Sequence, residues 1–182
     1  MSAALVNISP PSNWVKRHAG LIRPGSKVLD LACGSGRHTR LLHALGHTVI
    51  AADRDLSGVI DLEGVKNIEL RQIDLETPHW PLAEERFAGI VVTNYLYRPH
   101  LQTLAACLDD DGVLIYATFA AGHAAFGHPK NPDFLLQPNE LLNTFGKLLH
   151  VVAYEQVTSH EPRSAVRQRI CAVGTTHSAN KG

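Results

Sequence analysis

Three aspartates and two glycines in the first half of the chain carry the clearest chemical signal. Asp30, Gly34 and Gly36 surround the end of one apolar run, whereas Asp53 and Asp74 each follow a later one. Glycines let the backbone turn sharply and let a ligand approach main-chain atoms that a Cβ would shield. Carboxylates at strand ends can accept hydrogen bonds from sugar hydroxyls. The five residues therefore indicate a nucleotide-type pocket.

An alternation of strand and helix patterns would bring these residues to one edge of a parallel sheet. The predicted strands are 27–31, 48–52, 68–72, 88–93, 113–119, 148–157 and 165–175, and the predicted helices are about 36–45, 56–60 and 99–108, with a short one near Trp14 and another beginning near Glu140. Residues 158–164 are too short a connection for a parallel crossover, so the last two strands must be antiparallel. The sequence predicts an α/β fold in which the final strand inserts beside the fifth.

Length and composition predict one domain over residues 1–175 followed by a flexible tail, 176–182. The chain has 182 residues, 45% of them hydrophobic, and a formal net charge of zero. Without a global positive field, nucleic acid is not the expected partner. No segment approaches the roughly 20 apolar residues that cross a bilayer, so we expect no membrane association.

The cysteines and histidines give no sign of a metal site or a disulfide framework. Cys33, Cys107 and Cys171 are too few and too scattered for disulfides, and no CxxC spacing suggests zinc. Reduced thiols fit a cytoplasmic location. His43 and His47 are four residues apart, but Gly46 falls at the expected helix end, so we expect no metal there.

The chain resembles the class I S-adenosylmethionine-dependent methyltransferases over residues 25–175. Their first motif is an acidic residue, three further positions and then Gly-x-Gly, which Asp30, Gly34 and Gly36 match. The run 34–39, Gly-Ser-Gly-Arg-His-Thr, is similar to the small bacterial methyltransferases of the tellurite-resistance type. The resemblance implies a three-layer, Rossmann-like, seven-stranded mixed sheet in the order 3-2-1-4-5-7-6, with the last strand antiparallel.

The resemblance also implies S-adenosylmethionine as the cofactor. Asp53 would accept hydrogen bonds from the ribose hydroxyls, and Asp74 would receive the adenine amino group while Leu75 or Ile73 packs on the ring. Gly34 and Gly36 would lie against the methionine moiety and the ribose, so Gly36→Val is expected to abolish binding and leave the fold largely intact. The expected cofactor-binding residues are Asp30, Ala32, Cys33, Gly34, Gly36, Asp53, Arg54, Asp74, Leu75 and Asn94.

The end of the fourth strand is the expected place of methyl transfer, because ligands bind outside the carboxyl ends of parallel strands. We assign catalytic roles to Asn94, Tyr95 and Arg98. Asn94 could hold a nucleophile or the methionine amine, and Tyr95 or Tyr97 could offer a π face to the sulfonium or to a substrate cation. Arg98 could clamp a carboxylate-bearing substrate, or it could pair with an acid such as Asp133 or Glu140.

Residues 120–137 form a long segment without regular patterning, which is typical of a functional lid or binding loop. An edge cover or an oligomer contact is the structural alternative. The expected substrate residues are Tyr97, Phe119, His123, His128 and Lys130, together with Phe126 and Asn131. We expect a small-molecule acceptor, because the neutral charge and the absence of an added recognition domain offer little surface for a macromolecule.

Two other functions remain open at this point. An NADP-dependent oxidoreductase would use Arg54 for a 2′-phosphate, although Thr39 stands where the third glycine or alanine of a dinucleotide fingerprint belongs. A module that binds S-adenosylmethionine without turnover would use the same cofactor residues. Calorimetric titration with S-adenosylmethionine and with NADPH would distinguish a methyltransferase from the oxidoreductase. Methyl transfer from labelled cofactor to acceptors would distinguish it from the binding module.

Overall fold

The computed structural model describes residues 8–160 and 163–181, which contain a seven-stranded sheet. The strands are β1 (Lys27–Leu31), β2 (Thr48–Asp53), β3 (Ile68–Gln72), β4 (Phe87–Thr93), β5 (Leu108–Phe119), β6 (His150–Ser159) and β7 (Ala165–Val173). Their order is β3-β2-β1-β4-β5-β7-β6. Strands β1 to β5 pair in parallel, and β7 pairs antiparallel with both β5 and β6. The expected strand order and the antiparallel last strand are confirmed.

Short helices connect the strands. They are α1 (Asn13–His18), α2 (Arg37–Ala44), α3 (Leu101–Ala106) and α4 (Glu140–Phe145). The side chain of Ser12 accepts the Trp14 N–H and so caps α1. The helix expected over 56–60 is instead a 3-10 segment, Ser57–Leu62. A 3-10 turn suits so short a connection, because it closes hydrogen bonds with fewer residues than an α-helix.

Apolar side chains cover both faces of the sheet. On one face, Leu104 of α3 and Leu141 and Phe145 of α4 belong to the same buried cluster as Ile90. On the other face, Trp14 of α1 and Leu42 of α2 pack with Val91 and their neighbours. Every residue of β4 except the last is buried. Strands with both faces covered read as continuous apolar runs, which is the pattern that the sequence shows.

The parallel register brings several strand ends to one edge of the sheet. Leu31 of β1 lies opposite Ala52 of β2 and Val92 of β4, and Asp53 lies opposite Gln72 of β3. The segments that follow these residues therefore leave the sheet side by side. This is the edge at which parallel sheets bind their ligands.

The tail expected to be flexible is folded back on the body in the residues that the structure describes. His177 is buried and bonds through Nε2 to the Leu21 carbonyl at 2.9 Å. The Thr176 N–H donates to the Asp110 carbonyl, and Ser178–Lys181 form a 3-10 turn. The expectation of a loose tail is therefore wrong for residues 176–181, because the imidazole supplies a polar anchor within this short stretch. Residue 182 lies outside the described residues.

Gln168 of β7 joins the sheet to the start of α4. Its side chain is fully buried, accepts the Leu141 N–H at 3.1 Å and donates to the Gln137 carbonyl at 2.5 Å. Both backbone groups belong to the segment that enters α4. A single amide therefore satisfies polar groups that the apolar cluster would otherwise leave unpaired.

We expect Gln168→Leu to lower the free energy of unfolding by about 1–3 kcal/mol, because the buried Leu141 N–H loses its partner and the part-buried bond to the Gln137 carbonyl is lost as well. Gln156→Leu is the matched control, since Gln156 faces Gln168 in the β6–β7 register but is exposed. Its expected loss is below about 1 kcal/mol. Urea titration of the variants measures both values. Equal losses would contradict the role given to Gln168.

Candidate cofactor and acceptor site

A cavity of about 470 Å³ lies across the ends of β1, β2, β3 and β4. Its volume is within the range of small-molecule sites. Most of the expected cofactor residues line it, and Asp30 and Gly36 do not. The lining consists of Ser9, Ala32, Cys33, Gly34, Ser35, Arg37, Asp53, Arg54, Ile73, Asp74, Leu75, Glu76, Thr93, Asn94 and Tyr95.

The turn after β1 is bonded to the end of β2. The Gly34 N–H donates to Oδ2 of Asp53 at 2.9 Å, and the Asp55 N–H donates to Oδ1 at 3.1 Å. Gly34 has a φ of +54°, and no atom lies within 4 Å of the place that a Cβ would take. A left-handed backbone with open space beside it favours glycine. The turn therefore presents bare backbone to the cavity next to a carboxylate.

The segment after β3 adds apolar and acidic groups. Asp74 is exposed, and its Oδ1 accepts the Glu76 N–H at 2.9 Å. Leu75 is buried and Ile73 is half-buried, and both pack against the main apolar cluster. The Ile73 N–H bonds to the Asp53 carbonyl at 2.9 Å, which continues the β2–β3 pairing by one residue. A flat apolar group could rest here with Asp74 at its edge.

The segment after β4 supplies amide and phenol groups. Asn94 has a φ of +56°, a left-handed conformation that asparagine tolerates better than most residues. Its N–H bonds to the Ala117 carbonyl of β5 at 3.0 Å. The Tyr95 hydroxyl is buried without a hydrogen-bond partner in the described part of the chain. Burial raises the pKa of Tyr95, so this phenol remains protonated and can donate.

Asp30 lies beneath the cavity and does not line it. Its carboxylate is buried and accepts the Thr39 hydroxyl of α2 at 2.6 Å. Burial raises the pKa of Asp30 to about 6, and the hydrogen bonds to Thr39 only partly oppose that shift. In this structure Asp30 anchors α2 behind the glycine turn. It has no direct access to a ligand.

Gly36 is buried against the protein itself. A Cβ there would lie 2.5 Å from Cγ1 of Val59 and 2.7 Å from Nη1 of Arg40. The expectation that Gly36→Val would leave the fold largely intact is therefore wrong, because the added side chain would meet protein atoms. Gly34, whose Cβ position is open, is the glycine that faces the cavity.

The N-terminal segment completes the wall, as expected for a short helix near Trp14 at the edge of a site, but sequence reasoning did not name the two residues that line it. Ser9 and Arg37 line the cavity, and Nη1 of Arg37 donates to the Pro10 carbonyl at 3.3 Å. The Ser12 N–H donates to Nε2 of His38 at 3.1 Å. Burial lowers the pKa of His38 to about 4, so its ring stays neutral and can accept this bond. No local motif marks a contact between segments 26 residues apart.

Arg98 does not line the cavity. Its Nε and Nη2 atoms bond to the Glu140 carboxylate at 2.7 and 3.0 Å. Nη1 also donates to the Asp133 carbonyl and Nη2 to the Leu135 carbonyl, at 2.6 and 2.8 Å. The arrangement corresponds to the structural alternative, a pairing with an acid, and is a correction to the catalytic assignment. The charge of Arg98 is paired with Glu140, and its hydrogen bonds hold the segment before α4 in place.

All seven expected substrate residues lie outside the cavity lining. Tyr97 packs its ring on His100, while His128 and Lys130 are exposed. Phe119 and His123 are stacked with ring centroids 4.2 Å apart, and His123 Nε2 bonds to the His128 carbonyl at 2.9 Å. The Phe119–His123 stack adjoins the cavity through Arg167, whose guanidinium packs on Phe119 and bonds to Asn94.

Arg167 of β7 connects that stack to the cavity, and sequence reasoning missed it. Its Nη1 donates to Oδ1 of Asn94 at 2.6 Å, and its guanidinium carbon lies 4.0 Å from the centroid of the Phe119 ring. Arg167 lies opposite Phe119 in the β5–β7 register. The expected pairing of β7 beside β5 could have placed Arg167 near the end of β5. Nothing in the local sequence, however, distinguishes Arg167 from Arg169.

The described residues contain neither a candidate metal site nor a candidate membrane-spanning helix. No group of three or more His, Cys, Asp and Glu side chains is placed to hold a metal ion. No helix in this part of the chain is both long enough and apolar enough to span a bilayer.

The strand order and the cavity across the strand ends define the fold of the class I S-adenosylmethionine-dependent methyltransferases. A methyltransferase of that kind from Aquifex aeolicus superposes with a TM-score of 0.63 at 18% identity, over 88% of this chain and 89% of that one. A Burkholderia thailandensis 1,6-didemethyltoxoflavin-N1-methyltransferase, solved with its named substrate and S-adenosylhomocysteine, gives a TM-score of 0.63 at 19% identity, over 88% and 76%.

The chain belongs to the family of the tellurite resistance protein TehB, whose family model matches residues 5–95. TehB from Haemophilus influenzae superposes with a TM-score of 0.76 at 22% identity and covers 92% of this chain. The chain spans 64% of the length of that protein. No curated protein matches the chain. The resemblance to the tellurite-resistance group is confirmed.

We expect the buried Asp30 to make stability fall between about pH 4 and pH 6. Its folded pKa of about 6 exceeds the ordinary value, so the folded state binds more protons in that window. The shift of about two units corresponds to about 3 kcal/mol of the free energy of unfolding, lost as the pH rises through the window. Asp30→Asn should abolish this fall.

Urea titrations at pH 4, 5, 6 and 7 measure the effect. Asp61→Asn is the control, because Asp61 is an exposed carboxylate paired with Arg40. The assignment fails if Asp30→Asn and the unmodified protein show the same pH profile.

Proposed function

We propose that the chain is a methyltransferase that binds S-adenosylmethionine and transfers its methyl group in line to a small-molecule acceptor. The supporting observation is that the bare backbone of Gly34 and the carboxylates of Asp53 and Asp74 line one cavity. S-adenosylmethionine would supply a methyl group that its sulfonium already makes electrophilic. The protein then has to bind the cofactor and align a nucleophile with it.

The groups at the ends of β2 and β3 fit an adenosine. Each oxygen of Asp53 accepts one backbone N–H and keeps capacity for a ribose hydroxyl. Oδ2 of Asp74 is available for an amino group, since Oδ1 takes the Glu76 N–H. Ile73 and Leu75 offer apolar surface to an adenine ring. The open Cβ position of Gly34 lets the ligand approach the backbone.

The groups at the end of β4 fit the reacting end. The side-chain oxygen of Asn94 accepts a hydrogen bond from Arg167, so the amide NH₂ remains free to donate to a ligand. The Tyr95 hydroxyl is buried without a partner among the described residues, so a ligand that accepts its proton would remove an unsatisfied donor. Because burial raises the pKa of Tyr95, we assign it an orienting role and not that of a base.

Arg37 is the residue that we propose for the cofactor's carboxylate. It lines the cavity beside the glycine turn, and its one described hydrogen bond goes to a neutral carbonyl. Arginine is suited to carboxylates because its planar fork can donate two parallel hydrogen bonds.

Three observations support a small-molecule acceptor and a cytoplasmic location. The Burkholderia thailandensis enzyme with the same fold holds 1,6-didemethyltoxoflavin, a small molecule. The net charge of zero gives no general attraction for nucleic acid. The three cysteines are free and buried, which fits a reducing compartment.

The alternatives make different use of the cavity. A dinucleotide oxidoreductase of the Rossmann type has six parallel strands, whereas β7 here is antiparallel. Arg54 is exposed on the rim and could still meet a phosphate. A module that binds the cofactor without turnover would share every contact proposed above.

Calorimetric titration tests the cofactor. We expect S-adenosylmethionine and S-adenosylhomocysteine to bind and NADPH not to bind. Asp53→Ala should weaken binding by about 1.5–3 kcal/mol, the range of a charged hydrogen bond, which is about 10-fold to 150-fold in Kd. Asp61→Ala removes a carboxylate outside the cavity and should leave Kd unchanged. Binding of NADPH alone would overturn the proposal.

Incubation with methyl-labelled S-adenosylmethionine and a bacterial metabolite extract tests turnover. We expect label in at least one small product and a loss of more than about 10-fold in its rate for Asn94→Ala, because correct alignment carries much of the acceleration. Cofactor binding without any labelled product would favour the binding module.

A further inference from the structure

Arg167 carries a positive charge that no described carboxylate neutralises. Arg23, Arg40, Arg71, Arg98 and Arg169 each form a salt bridge with an aspartate or glutamate. Arg167 forms none in the described residues, and its one hydrogen bond goes to the neutral amide of Asn94. It is half-buried, and burial, together with the charges of Arg169 and Arg37, lowers its pKa to about 10. A partly desolvated cation of this kind favours an anionic ligand.

The guanidinium of Arg167 is held in one orientation. It lies over one face of the Phe119 ring at 4.0 Å, and the His123 ring stacks on Phe119 at 4.2 Å. His123 is itself fixed by its bond to the His128 carbonyl. The contact with Phe119 limits the movement of the guanidinium, and the bond to Asn94 uses only one of its five N–H groups. The other N–H groups have no hydrogen-bond partner among the described residues.

We propose that Arg167 binds the carboxylate group of an organic methyl acceptor and so selects acceptors that carry one. The inference rests on the proposed function, because it places this group beside Asn94, at the end of the cavity where methyl transfer would occur. A planar carboxylate matches the planar fork of arginine and can accept two parallel hydrogen bonds.

An organic acceptor fits the surroundings better than a small inorganic oxyanion. Phe126 follows His123 by three residues, is 47% exposed and makes an edge contact with His160. The Phe126 N–H bonds to the His123 carbonyl at 2.8 Å, so this ring follows directly on the turn that holds the Phe119–His123 stack. Apolar rings next to a half-buried charge suit a ligand with a carboxylate at one end and a hydrocarbon body at the other.

In the transfer itself, a nucleophilic atom of the acceptor would form a bond to the methyl carbon while the carbon–sulfur bond breaks. The electron pair of that bond stays on sulfur, which gives S-adenosylhomocysteine, and a thiol or hydroxyl acceptor loses its proton to solvent. Arg167 takes no part in this exchange of electrons. It is a specificity residue that would hold the acceptor's charged end.

The test uses the full chain saturated with S-adenosylhomocysteine, so that the cofactor's own carboxylate site is filled. Benzoate, phenylacetate and 4-mercaptobenzoate are titrated by calorimetry against their amides. We expect at least one acid to bind, and to bind more than 10-fold tighter than its amide. In Arg167→Gln that acid should lose more than 10-fold in affinity, and in Arg167→Lys it should lose less.

Arg163→Gln is the matched control, because Arg163 is exposed and its removal changes the net charge equally. It should leave the affinity for the acid unchanged. Circular dichroism and the melting temperature establish that each variant is folded. The affinity of Arg167→Gln for S-adenosylhomocysteine should stay within 3-fold of the unmodified protein.

Several results would overturn the inference. The inference fails if no acid binds, if acid and amide bind equally, or if Arg167→Gln binds the acid as tightly as the unmodified protein. It also fails if sulfite or phosphate binds at this site and the organic acids do not. A large loss of S-adenosylhomocysteine affinity in Arg167→Gln would assign the residue to the cofactor instead. Failure of S-adenosylhomocysteine to bind the unmodified protein would count against the proposed function, and it is measured separately.

Discussion

The site depends on the hydrogen bond between the Gly34 N–H and the Asp53 carboxylate. The parallel register places Leu31 opposite Ala52, and the Cys33 N–H continues the pairing by bonding to the Ala52 carbonyl. The turn after β1 therefore arrives level with the end of β2, where Asp53 holds it at 2.9 Å. A carboxylate bound to backbone N–H groups has a fixed orientation, and each oxygen can still accept a further hydrogen bond. The same contact thus shapes the turn and orients a hydrogen-bond acceptor towards the cavity.

Charged groups of both signs line the cavity. Asp53, Asp74 and Glu76 lie at the ends of β2 and β3 together with Arg54, Arg37 lies beside the glycine turn, and Arg167 reaches Asn94 from β7. Carboxylates accept hydrogen bonds from hydroxyl and amino groups, and guanidinium groups donate them to carboxylates. A net charge of zero over the chain therefore conceals a cavity with charged partners for both kinds of group.

Strand ends could be predicted from the sequence, and side-chain contacts between distant segments could not. Asp53, Asp74 and Asn94 follow apolar runs, so parallel pairing alone places them on the rim. Asp30 lies inside β1, where alternate residues face opposite layers: Leu29 and Leu31 join one cluster and Val28 the other. That alternation directs Asp30 towards Thr39 of α2. The sequence offers Glu140 as a partner for Arg98, 42 residues away, but no local pattern selects it over Asp133. None indicates that Arg167 reaches Asn94, 73 residues away.

The segment 120–137 is better described as a fixed cover at the edge of the sheet than as a lid. Its ends are joined by a bridge between Ala120 and Leu136, and the Leu136 N–H bonds to the Phe119 carbonyl. Arg98 holds the carbonyls of Asp133 and Leu135 while its charge is met by Glu140. Because those bonds would have to break for the segment to swing away, it keeps Phe119 and its stack in place. The salt bridge outside the cavity thereby preserves the orientation of Arg167 at its edge.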